Sequence, residues 1–149
     1  MTVEEIFNKI SSHMLEGVMF HADMVKAYDF LGLWGWARCH ESHYLEEMRD
    51  YCYWSHYFIS HYFKLIKNTN DNIPKLIPEG WYKYTTMEVD INTKRNAVKE
   101  LMEKWISWEK ETKQLYEEMR SELAALNEID AAMQLDCYIC NVSKELSHA

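Results

Sequence analysis

With 149 residues and 17.9 kDa, the chain is expected to form one domain over 1–149 and is too short for a multidomain enzyme. Four Gly and two Pro supply too few turns for a sandwich or barrel of many short strands, so long helices are favoured. Sixteen basic against twenty-four acidic residues give a formal charge of −8, which repels phosphate and excludes counterion release as a source of nucleic-acid affinity.

Residues 2–31 read as a first helix, with Ile6, Ile10, Gly17, Met24, Tyr28 and Leu31 facing the core and His21 among them. His13 lies close to that face, whereas Glu5, Ser12, Glu16 and Asp23 fall on the wet side. Gly32, Leu33, Trp34 and Gly35 form a tight corner, and residues 36–66 a second helix of about eight turns, antiparallel to the first. Its solvent arc carries Arg38, Ser42, Glu46, Arg49, Ser60, Lys64 and Lys67, opposite Tyr44, Glu47, Tyr51 and Phe58, with His40 among the latter. His43, Glu47 and Asp50, at i, i+4 and i+7, make a polar stripe along the core edge. Tyr51, Tyr53, Trp54, Tyr57, Phe58, Tyr62 and Phe63 exceed what one bundle face buries, which predicts self-association.

Asn68, Asn70, Asn72, Pro74, Pro78 and Gly80 make 67–88 the one long irregular stretch, a crossover connection. From about residue 90 to 126 a helical pattern returns, with Val98, Leu101, Trp105, Trp108, Thr112, Leu115, Met119 and Leu126 on the buried arc and Glu109 on its flank. After a weak break at Asn127 and Glu128, a fourth helix from 129 to about 146 buries Leu135, Ile139, Val142 and Leu146, flanked by Tyr138 and Glu145. Four helices joined by one long connection predict an all-α four-helix bundle.

The core-facing acids point to chemistry. A buried carboxylate costs several kcal/mol unless it is paired or meets a cation. Counting outward from the corner at the helical rise of about 1.5 Å per residue sets His21 level with Glu46 and Glu47, so His21, Glu47 and His43 share one layer. One imidazole and two carboxylates suit iron, manganese or zinc better than calcium. The alternative is a buried polar network with hydrogen-bonded histidines and no metal.

Cys39, Cys52, Cys137 and Cys140 lack zinc-finger or redox spacing, and no apolar leader is evident, so a reducing cytoplasm is expected. No stretch approaches about 18 uninterrupted apolar residues, and no membrane partner is expected.

The segment Gly32-Leu33-Trp34-Gly35-Trp36-Ala37, followed by Leu45-Glu46-Glu47-Met48-Arg49-Asp50, resembles the start and metal-binding turn of the second ferritin helix, where an E-E-M-x-H run supplies a bridging Glu and a His. Trp108-Glu109-Lys110 resembles the stretch that carries the third-helix Glu of ferritins, and Tyr138 falls on a tyrosine typical of their fourth helix. The resemblance spans most of the chain in short motifs. It implies a ferritin-like bundle with the long crossover between helices two and three, a homo-oligomer, and an iron site, di-iron or mononuclear, supporting Fe(II) oxidation, storage or detoxification. Combined with the layer above, the expected metal ligands are Glu47, Asp50, Glu109, His21 and His43.

Asp50 stands where ferritins place His, Met14 where the first-helix Glu is expected, and Asn141 and Lys144 near the fourth-helix acids, so the ordinary dinuclear set is incomplete. In the competing expectation, a metal-free ferritin-fold assembly protein, Lys144 pairs with Glu109 in place of a metal charge. Glu145 restores a ligand if the register shifts by one. The Lys-rich tail of DNA-protecting mini-ferritins is not seen, and a sequence ending at Ala149 is expected to lack the fifth helix of large ferritin cages.

Overall fold

The computed structural model describes residues 1–70 and 75–148, with side chains through 147. Four helices organise it: α1 (Val3–Phe30), α2 (Trp34–Tyr62), α3 (Ile91–Ala125) and α4 (Ile129–His148), with no strand among the described residues. Thr2 caps α1 by accepting from the Glu5 N–H, and Glu4 and Glu5 meet the positive end of the helix dipole. Asp90 caps α3 in the same way, accepting from the Thr93 N–H at 2.7 Å.

Both antiparallel pairs turn through one device. Gly32, at φ 74°, donates to the Asp29 carbonyl while Leu33 donates to that of Tyr28. This closure needs a left-handed residue after the helix, which Gly adopts without steric cost. Between α3 and α4, Asn127 takes φ 60°, donating to Ala124 as Glu128 donates to Leu123, at the break expected there. The first corner is tighter than the sequence suggests: α2 begins at Trp34 with Gly35 inside it, because the Leu33 carbonyl already accepts the Ala37 N–H.

The second helix stops at Tyr62, four residues before the expected end at 66, with Phe63 left-handed at φ 59°. The apolar pattern continues to Ile66, but tertiary hydrogen bonds override it. The Lys67 N–H donates to Asn8, the Thr69 N–H to Ser12 Oγ, and the Asn70 amide to the Ser12 carbonyl. Beyond 71–74, the Leu76 N–H reaches Asp23 and Trp81 stacks on Phe30. Among the described residues the α1 positions contacted advance with the chain, from Asn8 and Ser12 before 71–74 to Asp23 and Phe30 after it. Ser12 and Asp23, expected on the wet side of α1, instead lie beneath this strap, and Ser12 is buried.

Apolar packing separates into two clusters. One joins Ile6, Phe7 and Ile10 to Trp54 and Phe58, to Met119 and Leu123, and to Leu135. The other joins Met24, Ala27 and Tyr28 to Ala37, Leu101 and Trp105. Each large side chain fully buried there contributes about 1.5–3 kcal/mol. Phe7 stacks on Trp54 and Phe58 at centroid distances of 4.2 and 4.7 Å. Fewer α2 aromatics are therefore left outside than expected: Trp54 and Phe58 are buried, Tyr51, Tyr57 and Tyr62 half-buried, and Tyr53 and Phe63 exposed. Leu126, expected on the buried arc of α3, is exposed because it caps that helix at the turn.

Candidate metal centre

Between the two apolar clusters lies a polar layer drawn from all four helices. His21 of α1 and Glu109 of α3 are both 0% exposed, and Glu47 of α2 reaches in from the side. His21 Nε2 sits 3.3 Å from Glu47 Oε1 and 3.4 Å from Glu109 Oε1. These contacts are close enough for ion pairs, yet neither is aligned as a hydrogen bond, and both oxygens of Glu109 lack a hydrogen-bond partner. The ligand atoms of His21, Glu47 and Glu109 lie within 4.8 Å of one another.

A second group adjoins the first. His43 Nδ1 is 2.9 Å from Glu145 Oε1 and 4.0 Å from Glu46 Oε2, and the three residues form another cluster of metal-ligand spacing. Glu145 also meets Glu109, linking the two groups; burial and Glu109 push its pKa up while His43 pulls it down. The outer group lines a cleft of about 420 Å³ whose walls include Trp36, Cys39, Trp105 and Lys144.

Histidine chemistry divides sharply across this layer. Burial alone disfavours the His21 imidazolium, but Glu109 and Glu47 outweigh it and push the pKa up to about 10. His40, 0% exposed and 3.0 Å from His21 through the two Nδ1 atoms, is held neutral, its pKa lowered to about 3 by burial and by the charges of His21 and His43. His13 is lowered by burial to about 4. Thr112 uses its single proton on the Trp108 carbonyl, so His13 Nε2 donates to Thr112 Oγ at 2.7 Å.

The layer brings together His21, Glu47 and Glu109, with His43 one group further out. Asp50 enters neither cluster; it borders a cavity of about 20 Å³ beside Glu46, Glu47, Tyr116 and Tyr138. Burial, with Glu46 and Glu47 nearby, pushes its pKa up to about 7. Three expectations about the surroundings are corrected. Glu109 is not on the flank of α3 but fully buried, and its cationic neighbour is His21, whereas Lys144 is exposed on the cleft rim. Glu46, assigned to the solvent arc, turns along the cleft toward His43; the i, i+3 spacing of His43 and Glu46 was the available signal. His40 was legible as core-facing, but its pairing with His21 depends on the hairpin register.

The donor set fits a first-row divalent metal. Metal–ligand distances of about 2.0–2.2 Å hold two donors no more than roughly 4.4 Å apart, and the ligand atoms of each group lie within 4.8 Å of one another. Fold and site together define an all-α four-helix protein with paired His/Glu groups able to hold a metal ion. Comparison with protein-family models, curated proteins and solved structures finds no match. Among the described residues, no helix is long and apolar enough to cross a membrane.

Proposed function

We propose that the protein is a ferritin-like metal-binding protein that holds iron at His21, Glu47 and Glu109, with His43, Glu46 and Glu145 as its outer edge. Glu109 carries this reading: it is a fully buried carboxylate facing Glu47 and Glu145 across the layer, with the His21 ring 3.4 Å away but not aligned as a hydrogen bond, and a cation offsets the several kcal/mol that burying such a group costs. The connection along α1 supports the ferritin-like comparison, because it lets α2 and α3 run in the same direction.

When bound, iron supplies electron transfer to dioxygen or peroxide, a ferroxidase-type reaction suited to storage or detoxification. The residues have separable tasks. Glu47 and Glu109 offset the charge, and carboxylate oxygen favours the harder oxidised ion. His21 must present a bare Nε2, which places its proton on Nδ1 and makes His40 Nδ1 the acceptor. Glu46 and Glu145, at the cleft, offer a cation route inward. Asp50, titrating near neutrality, exchanges a proton at its carboxylate beside Glu47. Elemental analysis of protein purified without chelator should find about one or two iron ions per chain. Manganese or zinc in its place keeps the metal reading and removes the iron; no stoichiometric metal removes both.

A specific observation favours a second reading, a metal-free ferritin-fold assembly protein: the His21 imidazolium already lies between the two carboxylates. Both readings share self-association as partner chemistry, with Leu45, Tyr53 and Ile59 exposed on α2 and Phe63 exposed at its C-terminal cap. Sedimentation at micromolar concentration should show a species heavier than 17.9 kDa, and a strict monomer would contradict it. Four free cysteines suit a reducing cytoplasm.

A further inference from the structure

Gly17 lies inside α1 with no left-handed backbone to require it. At such a position glycine weakens a helix relative to alanine. The neighbourhood supplies a reason. A Cβ at residue 17 would sit 2.1 Å from Glu47 Oε2, 3.1 Å from its Cδ and 3.5 Å from its Oε1, so the three nearest atoms all belong to one carboxylate. The other three glycines, Gly32, Gly35 and Gly80, have nothing within 4 Å of such an atom.

We propose that Gly17 is the positioning residue of the buried centre, its missing side chain opening the space in which the Glu47 carboxylate lies beside His21. The backbone of α1 therefore forms one wall of the carboxylate's seat. Any L side chain at 17 forces the carboxylate out, because its far end is flexible whereas the helix behind residue 17 is not. The fold survives such a change, since the atoms a Cβ would meet are the far end of the flexible Glu47 side chain and not backbone. His21 and Glu109 then face each other without their third partner, and a cation there loses one of its three ligands. The effect on metal rests on the function proposed above; the placement of Glu47 does not.

The test uses the full chain, Zn(II) as a redox-inert probe, and four proteins: wild type, Gly17→Ala, Glu47→Asp and the double variant. Gly17→Ala should weaken Zn(II) binding measured by titration calorimetry by at least about tenfold, with unchanged far-UV circular dichroism. In the Glu47→Asp background the same substitution should cost less than about threefold, because the side chain one methylene shorter does not reach position 17. A metal-free crystal structure of Gly17→Ala should show the Glu47 carboxylate beyond about 4 Å from His21 Nε2. Additive effects of the two substitutions, or a Glu47 carboxylate still seated beside His21 in Gly17→Ala, would overturn the proposal. If wild type binds no Zn(II), the metal reading fails alone and the position of Glu47 in the crystal structure still decides the role of Gly17.

Discussion

Anaerobic Fe(II), added at several hundred times its dissociation constant, should stabilise the protein by about 3–4 kcal/mol. For a chain of 149 residues this raises the melting temperature by roughly 6–16 °C. The gain should vanish in Glu109→Gln and in Glu47→Gln, each of which preserves side-chain volume and removes a charged ligand. Glu47→Gln removes one of the two counterions of the His21 imidazolium and should lower the metal-free melting temperature modestly, because Glu47 is 18% exposed at its side chain and Glu109 still faces the ring. Glu109→Gln, at a site with no exposure, also deprives the His21 imidazolium of a counterion and should lower it. Lys144→Met should change stability by less than about 0.5 kcal/mol, because that cation is at the surface. Equal melting of wild type with and without Fe(II), Mn(II) and Zn(II) would remove the metal reading and leave the His21 ion pairs as the structural explanation of the layer. Metal uptake should also release about one proton from His21, so affinity rises with pH below about 10.

Without metal the pH response runs the other way. The His21 pKa is raised from 6.5 to about 10. A raised folded pKa stabilises fully below the unfolded value and is lost as pH climbs through the folded one. Stability should therefore fall by on the order of 2–4 kcal/mol between pH 7 and 10, at about 1.4 kcal/mol per tenfold change in proton affinity. Cys39, whose thiol is pushed up by burial, adds to the loss at the alkaline end. On the acid side the effects oppose one another. His13 and His40, with pKa values lowered to about 4 and about 3, contribute fully above 6.5 and lose that contribution as pH falls. Asp50, raised from 3.8 to about 7, contributes below 3.8 and loses it as pH rises through 7. The alkaline limb is thus the clean one. Urea unfolding of metal-free protein at pH 7, 8.5 and 10 should show it, and His21→Gln should flatten it. A wild-type midpoint constant across that range would mean that His21 does not carry a proton between Glu47 and Glu109.

Much of the architecture was legible in the residues. The 3.6-residue recurrence of Ile6, Ile10, Met24 and Tyr28 in α1, and of Leu101, Trp105 and Met119 in α3, marks faces that are buried in the fold. Gly32 and Asn127 mark the two hairpin turns, because left-handed backbone is costly for most other residues. The core-facing placement of His21, and its level with Glu47, followed from helical rise and a short corner alone. Periodicity reports which way a residue faces on its own helix, and a tight hairpin converts that into a contact on the next.

Other features depended on elements remote in sequence. The end of α2 at Tyr62 was set by backbone donors of Lys67 and Thr69 finding Asn8 and Ser12 on α1, contacts that no local pattern encodes. The same strap buried Ser12, which a helical wheel places in water. Glu109 moved from the flank to the centre, and Asp50 was left beside a small cavity, because rotation of α2 and α3 about their axes is fixed by packing on four helices at once. Sequence alone therefore determined the four helices, their turns and the presence of core-directed acids and histidines, all set by local backbone preference and apolar periodicity. Only the tertiary structure decided which of those acids meet: ion-pair geometry is settled over a few ångströms, a distance smaller than the shift produced by turning one helix through a single residue.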